Sequence, residues 1–407
     1  MADNKRQHFV PKSTLRRFAS DAATPQEPRQ IHLVNIDSGK IIRNASLKTQ
    51  CYRDYFYGRD LVVEKLLGPV EGEFVALTNK MIDTSSMEER AGWNLVRMIM
   101  LQRGRTLRAD AESNEIIDKM AKLLLYNRVP EQDLRNTRIG VTEGARLNVA
   151  YALRLSPLIL DLKRFLIVNS TSVPFVIADN PVVSTNWFCR LNYPHQMAGL
   201  ARSGLQLLLP LSPWAALMMH DSNVYSTTAD ENVIKIRQVE EIVALNELQW
   251  LNAFENLYLP PDLDNARLQT MMAVQRSSDA LTGFTRMHAI GDNSFQASDR
   301  DEFAPPPERM TRELVNVSAK SLPRDLRLRA VGIRRSPVVQ DNGSVASPQR
   351  DQAWTGIVTE FAKALEAGAV NMSEFWDFTE AHPLAPKIGA WLRRAKRKSD
   401  LERERQP

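Results

Sequence analysis

The chain has 407 residues, of which 43% are hydrophobic and 25% charged, with a formal net charge of +5. This composition excludes an intrinsically disordered chain, and the length favours one large domain with additions or two domains. Two cysteines are too few for a disulfide framework or a thiolate zinc site, and no apolar run approaches a membrane span, which favours a cytoplasmic protein without a membrane partner.

The first half of the chain begins with sheet and continues with helices. Residues 30–44 alternate apolar and polar side chains around Asp37-Ser38-Gly39, which predicts a β-hairpin. Apolar positions at spacings of three and four predict an amphipathic helix over 61–81, which Gly68-Pro69 breaks or restarts. A long helix from a capping box at 85–88 to about Arg108 follows, with further helices over 114–125 and 142–155.

The spacing of apolar residues changes in the middle of the chain. Short apolar runs at 164–169, 173–178 and 205–211 predict buried strands. Helical spacing then returns over 230–258, before Pro260-Pro261, and a helical hairpin is expected to continue through Met287.

The C-terminal part has the composition of linkers. Proline, glycine, serine and amide residues dominate 304–307 and 336–351, the segment 320–335 is basic, and a helix is expected over 354–365. These patterns predict an α+β fold: a mainly helical body around a small, largely antiparallel sheet, with a linker-rich C-terminal extension. The expected division is a main domain (1–295), a linker-rich segment with a short basic strand or helix (296–353), and a helical, basic tail (354–407).

Three segments carry a family resemblance. They are Lys5-Arg6-Gln7-His8-Phe9-Val10-Pro11, then Phe56-Tyr57 followed by Glu64 and Glu71, and Asp179-Asn180-Pro181-Val182. Together they resemble the domain of unknown function 4238 family, whose members open with a His-x-Val-Pro motif and carry an Asp-Asn-Pro-Val motif in mid-chain. The resemblance spans roughly residues 5 to 260 and implies a bacterial source, but it implies no activity.

His8 is the first candidate for chemistry. Pro11 forces an extended backbone at Val10, so the histidine lies on a short, stiff segment. An imidazole there can serve as a metal ligand or as a general base. The alternative is a histidine hydrogen-bonded to nearby backbone.

Carboxylates supply the rest of a predicted site. Asp179 and Asn180 follow an apolar strand, where side chains can converge on a cleft, although turn chemistry explains the same residues. Glu64 and Glu71 lie two helical turns apart and share a face if the Gly-Pro interruption is mild. The prediction is that His8, Glu71 and Asp179 bind a divalent metal ion that activates water, with Asn180 orienting the substrate.

Basic residues are candidates for holding phosphate. Arg97 and Arg103 lie in an arginine-rich helix and are grouped with Gln7 as substrate-binding residues. A solvated helix face that pairs with neighbouring acids is the alternative. The tail from 387 to 407 holds eight Lys or Arg against three acidic residues, so it either contacts nucleic acid or remains a solvated end.

Two functional hypotheses follow. The first is a metal-assisted hydrolase that acts on nucleic acid or a nucleotide. The second is a non-catalytic binding module or a partner in a bacterial defence or toxin-like system, in which the motifs are structural. They differ in one geometric expectation, since only the hydrolase requires His8, Glu71 and Asp179 to meet in one pocket.

Overall fold

The structure, a computed structural model, describes residues 5–21, 28–87, 92–193, 199–276, 280–289, 295–298, 303, 308, 312–341 and 347–388. The basic tail beyond 388, the proline run at 304–307 and Glu88 of the predicted capping box lie outside these ranges. The helices described are α1 (Lys12–Arg16), α2 (Val62–Thr84), α3 (Gly92–Gly104), α4 (Leu107–Leu125), α5 (Glu131–Asn136), α6 (Gly144–Arg154), α7 (Trp187–Asn192), α8 (Val239–Asn252), α9 (Asn265–Met272), α10 (Gln352–Glu366) and α11 (Phe375–Ala381).

The strands form small sheets that are mostly antiparallel. They are β1 (Arg6–His8), β2 (Gln30–Asn35), β3 (Ile41–Ser46), β4 (Tyr52–Asp54), β5 (Lys163–Asn169), β6 (Ile177–Ala178), β7 (Val183–Thr185), β8 (Gln206–Ser212), β9 (Ala215–His220), β10 (Tyr225–Thr227), β11 (Val233–Ile236), β12 (Asn256–Leu259), β13 (Thr282–Ala289), β14 (Phe295–Ser298), β15 (Arg312–Ala319) and β16 (Val331–Ile333). The largest sheet has the order β11-β5-β9-β8-β7, and a second has the order β3-β2-β12-β6. A third has the order β14-β13-β15, and β1-β4 and β10-β16 are pairs. Helices around such sheets make the fold α+β, as the sequence predicts.

The five-stranded sheet lies between two hydrophobic cores. Along β5, Phe165 and Ile167 enter the first core, which also contains Phe9 and Tyr258, while Leu166 enters the second. Side chains of successive residues point to opposite faces of a strand, so both faces of this sheet are buried. This explains why the sequence of its central strands is continuously apolar.

The second core joins the helices to the C-terminal part of the chain. Trp354 and Phe361 of α10 are buried in it together with Leu95 of α3. Just before α10, the buried Arg350 forms a salt bridge with Asp161, with 2.7 Å between Nε and Oδ2. The C-terminal helices therefore pack on the body, whereas the three-part domain division stays a prediction.

Several predicted elements are confirmed. The hairpin is β2-β3, with Gly39 at φ +65° in its turn, and the predicted helices at 61–81 and 142–155 correspond to α2 and α6. The helix α2 continues through Pro69, although the proline removes a backbone donor. Its apolar side chains, including Leu67 and Phe74 on either side of the proline, are buried in the second core, and this packing stabilises the unbroken helix.

Other predictions are wrong in type or extent. The long helix to Arg108 is two helices, because Thr106 ends the first and caps α4 by accepting a bond from the Ala109 amide. The predicted helix over 230–258 is helical only in α8, since the β-branched run of β11 pairs with β5 on one side and β12 pairs with β2 on the other. The expected helical hairpin through Met287 ends instead in β13, which pairs with β15.

No helix in the described ranges combines the length and the apolar character that crossing a bilayer requires.

Candidate functional site

The His-x-Val-Pro segment forms a short strand and the start of a helix. β1 pairs antiparallel with β4, placing His8 opposite Tyr52, and the Phe9 amide donates to the Cys51 carbonyl at 2.8 Å. Pro11 precedes α1 as its N-cap, where its missing N–H removes no helical bond. Pairing on one side and the proline on the other fix the backbone that carries His8.

The imidazole of His8 is neutral at neutral pH. Its Nδ1 lies 3.1 Å from the Gln50 carbonyl, which can only accept a hydrogen bond, so Nδ1 carries the proton and Nε2 holds a lone pair. Burial, followed by the nearby Lys12 charge, lowers the pKa of His8 to about 4. The ring is thus neutral, with its Nε2 lone pair available, at the pH at which most enzymes operate.

His8 lines a cleft of about 710 Å³ whose other walls are strongly charged. The lining side chains besides His8 are Lys5, Arg6, Pro11, Lys12, Ser13, Arg16, Lys48, Tyr52, Asp54, Glu64 and Glu71. Five of them are cationic and three are acidic, and one acid, Asp54, already pairs with Lys5 at 2.8 Å. The cleft therefore favours an anionic ligand.

Glu64 and Glu71 both reach this cleft, as their two-turn spacing predicts. Because α2 is unbroken, the two carboxylates share a face of it. Glu71 Oε1 lies 2.6 Å from Nη1 of the fully buried Arg105. Burial, with the neighbouring Glu71 charge as the next cause, raises the pKa of Glu64. Glu64 consequently retains a proton more readily than an ordinary glutamate.

Arg105 connects this carboxylate to the backbone of the histidine segment. Its Nε donates to Gln102 Oε1 at 3.1 Å, and Gln102 Nε2 donates to the Phe9 carbonyl at 3.0 Å. The Tyr57 hydroxyl lies 3.2 Å from the Arg105 carbonyl and 3.3 Å from that of His8. These buried contacts position His8 relative to α2. The sequence suggested phosphate contact or a solvated face for this arginine cluster, but Arg105 is a buried partner of Glu71.

Gln7 does not line the cleft. Its side chain is fully buried, accepts a bond from the Tyr57 amide and donates to the Gly58 carbonyl at 2.9 Å. Both ends of the side-chain amide are therefore engaged within the fold, which makes Gln7 a residue that fixes the 57–58 loop to β1.

Asp179 also lies apart from His8 and Glu71. Its Oδ1 accepts from the Phe254 amide at 2.7 Å, and its Oδ2 accepts from the amides of Glu255 and Asn256 at 2.7 and 3.0 Å. Burial raises the pKa of Asp179 to about 6, while the amide bonds act in the opposite direction. The carboxylate thus holds the loop between α8 and β12, which is the structural alternative that the sequence left open.

The predicted metal site is consequently not assembled. Across the parts of the chain that the structure describes, no group of three or more His, Cys, Asp or Glu side chains has an arrangement that could hold a metal ion. Of the three predicted ligands, only His8 and Glu71 share a cleft, and Glu71 is neutralised by Arg105.

The remaining predicted residues fall at other places. Asn180 and Arg103 line a second cavity of about 390 Å³, and Arg97 lines neither the cleft nor this cavity. The Asn180 Oδ1 accepts from the Thr106 hydroxyl at 2.9 Å, which ties the Asp-Asn-Pro-Val motif to the start of α4. Sequence reasoning did not single out Lys12 and Lys48 at the cleft, because isolated lysines in short helical segments carry no distinguishing pattern.

Comparison with known proteins supports the resemblance seen in the motifs. Residues 6–262 match the family model described as Protein of unknown function (DUF4238). The search among curated proteins gave no match, and the search among solved structures gave none either. The matched range includes His8, Glu71 and Asp179, and it covers more than half of the chain. The protein therefore belongs to the DUF4238 family.

Proposed function

We propose that the protein hydrolyses phosphate esters of nucleic acid or nucleotides in the His8 cleft, with His8 as general base. The observation that carries the proposal is the state of the imidazole. Its Nδ1–H is held by the Gln50 carbonyl, and its Nε2 makes no hydrogen bond to a residue of the described ranges. A neutral imidazole beside a cationic cleft is suited to removing a proton from a water molecule that attacks a bound anion.

The charges of the cleft support a phosphate-containing substrate. Lys12 and Lys48 are exposed, and neither forms a salt bridge with any side chain in the described ranges. Such lysines can neutralise successive phosphates of a polynucleotide. Tyr52 also lines the cleft, and the guanidinium of Arg6 lies 5.0 Å from the centre of its ring, which places a further cation there.

The proposed reaction balances with two side chains. His8 Nε2 takes one proton from water, the water oxygen bonds to phosphorus, and the bond from phosphorus to the leaving oxygen breaks. Glu64, whose pKa is raised above that of an ordinary glutamate, is the residue assigned to donate a proton to that leaving oxygen. Proton exchange with solvent then returns His8 to its neutral form and Glu64 to its acid form.

The residues of the cleft do not fit a divalent metal ion. Glu71 is engaged by Arg105, and the five cationic side chains that line the cleft oppose the binding of a dication. No step of the proposed reaction is therefore assigned to a metal.

The alternative is binding without turnover, as in a module of a bacterial defence or toxin-like system. The specific observation in its favour is that Gln7 and Asp179, two residues of the family motifs, are engaged by backbone groups. In this alternative the cationic cleft retains a nucleic acid, and His8 has a structural role.

The two functions separate in one set of assays. Labelled RNA, single-stranded DNA, double-stranded DNA and ATP are incubated with wild type, His8→Ala, His8→Gln and Glu64→Gln, without metal and with Mg²⁺, Mn²⁺ or Zn²⁺. A matched control is His288→Ala, which alters a half-buried histidine on β13 that lies outside the cleft.

We expect metal-independent cleavage that falls roughly 100-fold or more in the His8 variants and is retained in the control. Retained binding with no cleavage of any substrate would favour the binding module. Cleavage that depends on an added metal would overturn the assignment of His8 as a base acting without one.

We infer a bacterial cytoplasm as the setting. Both cysteines of the chain, Cys51 and Cys189, are free and buried, which is the usual state of thiols in a reducing compartment.

A further inference from the structure

A second cavity lies away from the His8 cleft and shares no lining residue with it. Its volume is about 390 Å³, and α3, α4 and α6 form one wall. The lining also contains Asn180 of the Asp-Asn-Pro-Val motif and residues 184–186. A cavity of this size is within the range of small-molecule sites.

Arg103 is a cation in this cavity without a counter-charge of its own. It is half-buried and makes no hydrogen bond or salt bridge to any residue in the described ranges. Burial lowers its pKa, with the charge of Glu112 acting in the opposite direction. Glu112 is already engaged, since its Oε1 lies 2.8 Å from Nε of Arg108. A guanidinium that is partly buried and left unpaired costs stability, so a ligand that neutralises it is favoured.

Asn148 supplies an independent indication of a ligand. Its Oδ1 accepts from the Ser113 hydroxyl at 2.8 Å, while its Nδ2 is buried and has no partner among the described side chains and backbone. Buried donors are normally satisfied, so an unpaired one beside a cavity indicates an absent acceptor. Other amides of the wall are engaged within the fold, since Asn252 donates to Asn180 and Asn186 to Ser203.

Part of the cavity wall is apolar, between polar and charged residues such as Glu112 and Lys320. Met100, Ile116 and Leu155 contribute side chains, and the half-exposed ring of Tyr151 stands at its edge. Unpaired donors at Arg103 and Asn148 next to an apolar stretch of wall suit a molecule with a charged group and an apolar or flat body.

We propose that this cavity binds a small organic anion whose phosphate or carboxylate is held by Arg103 and Asn148. The planar guanidinium can bind either group with two parallel hydrogen bonds. The site is independent of the proposed hydrolase, because the two sets of lining residues do not overlap.

Calorimetric titration of the full chain with AMP, benzoate and uncharged adenosine tests the proposal. We expect AMP or benzoate to bind in the micromolar to millimolar range, and their ranking distinguishes a phosphate ligand from a carboxylate. Adenosine should bind at least roughly 10-fold more weakly than AMP, since it lacks the charged group.

Variants assign the binding to the cavity. Arg103→Ala and Arg103→Met should weaken anion binding roughly 10- to 100-fold, and Asn148→Ala roughly 3- to 10-fold. Arg97→Ala is a matched control on the same helix, since Arg97 does not line the cavity, and His8→Ala should also retain the affinity. Equal affinity in wild type and Arg103→Ala, or loss of binding in His8→Ala alone, would overturn the proposal.

The melting temperature of Arg103→Met tests the proposal in the case that neither anion binds. An uncompensated cation costs stability in the free protein, so Arg103→Met should melt at a higher temperature than wild type. A lower melting temperature together with no anion binding in wild type would assign Arg103 a structural role and refute the site.

Discussion

Replacement of Asp179 separates a structural carboxylate from a catalytic one. In the wild type this side chain accepts three backbone amide bonds at 2.7, 2.7 and 3.0 Å from residues 254 to 256. Asp179→Ala removes all three bonds and leaves the amides without that acceptor. Asp179→Asn keeps one acceptor oxygen but turns the other end of the side chain into a donor that faces a donor.

The expected loss of stability is large for a single side chain. A hydrogen bond to a charged group contributes about 1.5–3 kcal/mol, and a buried donor left unsatisfied costs about 1–3 kcal/mol. The three bonds share one carboxylate, whose burial already opposes its charge, so their contributions do not add. We expect Asp179→Ala to lower the free energy of unfolding by about 3–5 kcal/mol and Asp179→Asn by about 2–4 kcal/mol.

Urea unfolding followed by tryptophan fluorescence measures this loss, at a pH above 7 where Asp179 is ionised. Asp262→Ala is the control, because Asp262 is exposed in the turn after β12, and its change should stay within about 0.5 kcal/mol. An Asp179→Ala protein with wild-type stability and no phosphate-ester hydrolysis would refute the structural role and return Asp179 to the catalytic residues.

Three further predictions concern stability. Arg350→Ala should lower the free energy of unfolding by about 3–5 kcal/mol in chemical denaturation, because it leaves Asp161 buried and unpaired; a change below about 1 kcal/mol would contradict a buried pair. The pKa of His8 drops from 6.5 to about 4 on folding, so its contribution is present above pH 6.5 and is lost as the pH falls toward 4. Between pH 6.5 and pH 4 the free energy of unfolding should fall by about 2–3 kcal/mol less in His8→Gln than in wild type. If the free energies of unfolding of the two proteins change with pH in parallel, the ring is not buried as described. Thr106→Ala should cost about 1–2 kcal/mol in thermal unfolding, since it removes the α4 cap and the bond to Asn180, whereas Thr106→Ser should stay near wild type.

The pattern of apolar and turn residues predicted those elements of the fold that depend on interactions between residues close in sequence. The hairpin at Gly39, the helix that carries Glu64 and Glu71, and the strand predicted over 164–169, which is β5, all follow from the pattern of apolar residues. The same spacing misassigned β11 and β13, because short segments with apolar residues fit a helical period and a strand period equally well. Their pairing partners lie far away in sequence and decide the outcome.

The candidate site was predictable only where its residues share an element or a motif. His8 and Glu71 meet in one cleft because the stiff segment before Pro11 packs near α2. Asp179 was predicted as a metal ligand, whereas it accepts bonds from amides that lie 75 to 77 residues later in the chain. No spacing rule connects a strand end to amides so far away. The burial of Arg105 was hidden for the same reason, since its partner Glu71 belongs to a different helix.

The packing of α10 on the second core has a consequence for synthesis of the chain. The Trp354 indole donates to the Pro157 carbonyl, a partner made 197 residues earlier. At about 5–20 residues per second, a ribosome needs about 10–40 s to cover that interval. During this time the apolar surface around residues 157–166 emerges without the helix that will cover it. The nascent chain therefore exposes an aggregation-prone face for nearly half of its translation, and a chaperone that binds apolar segments would find its substrate there.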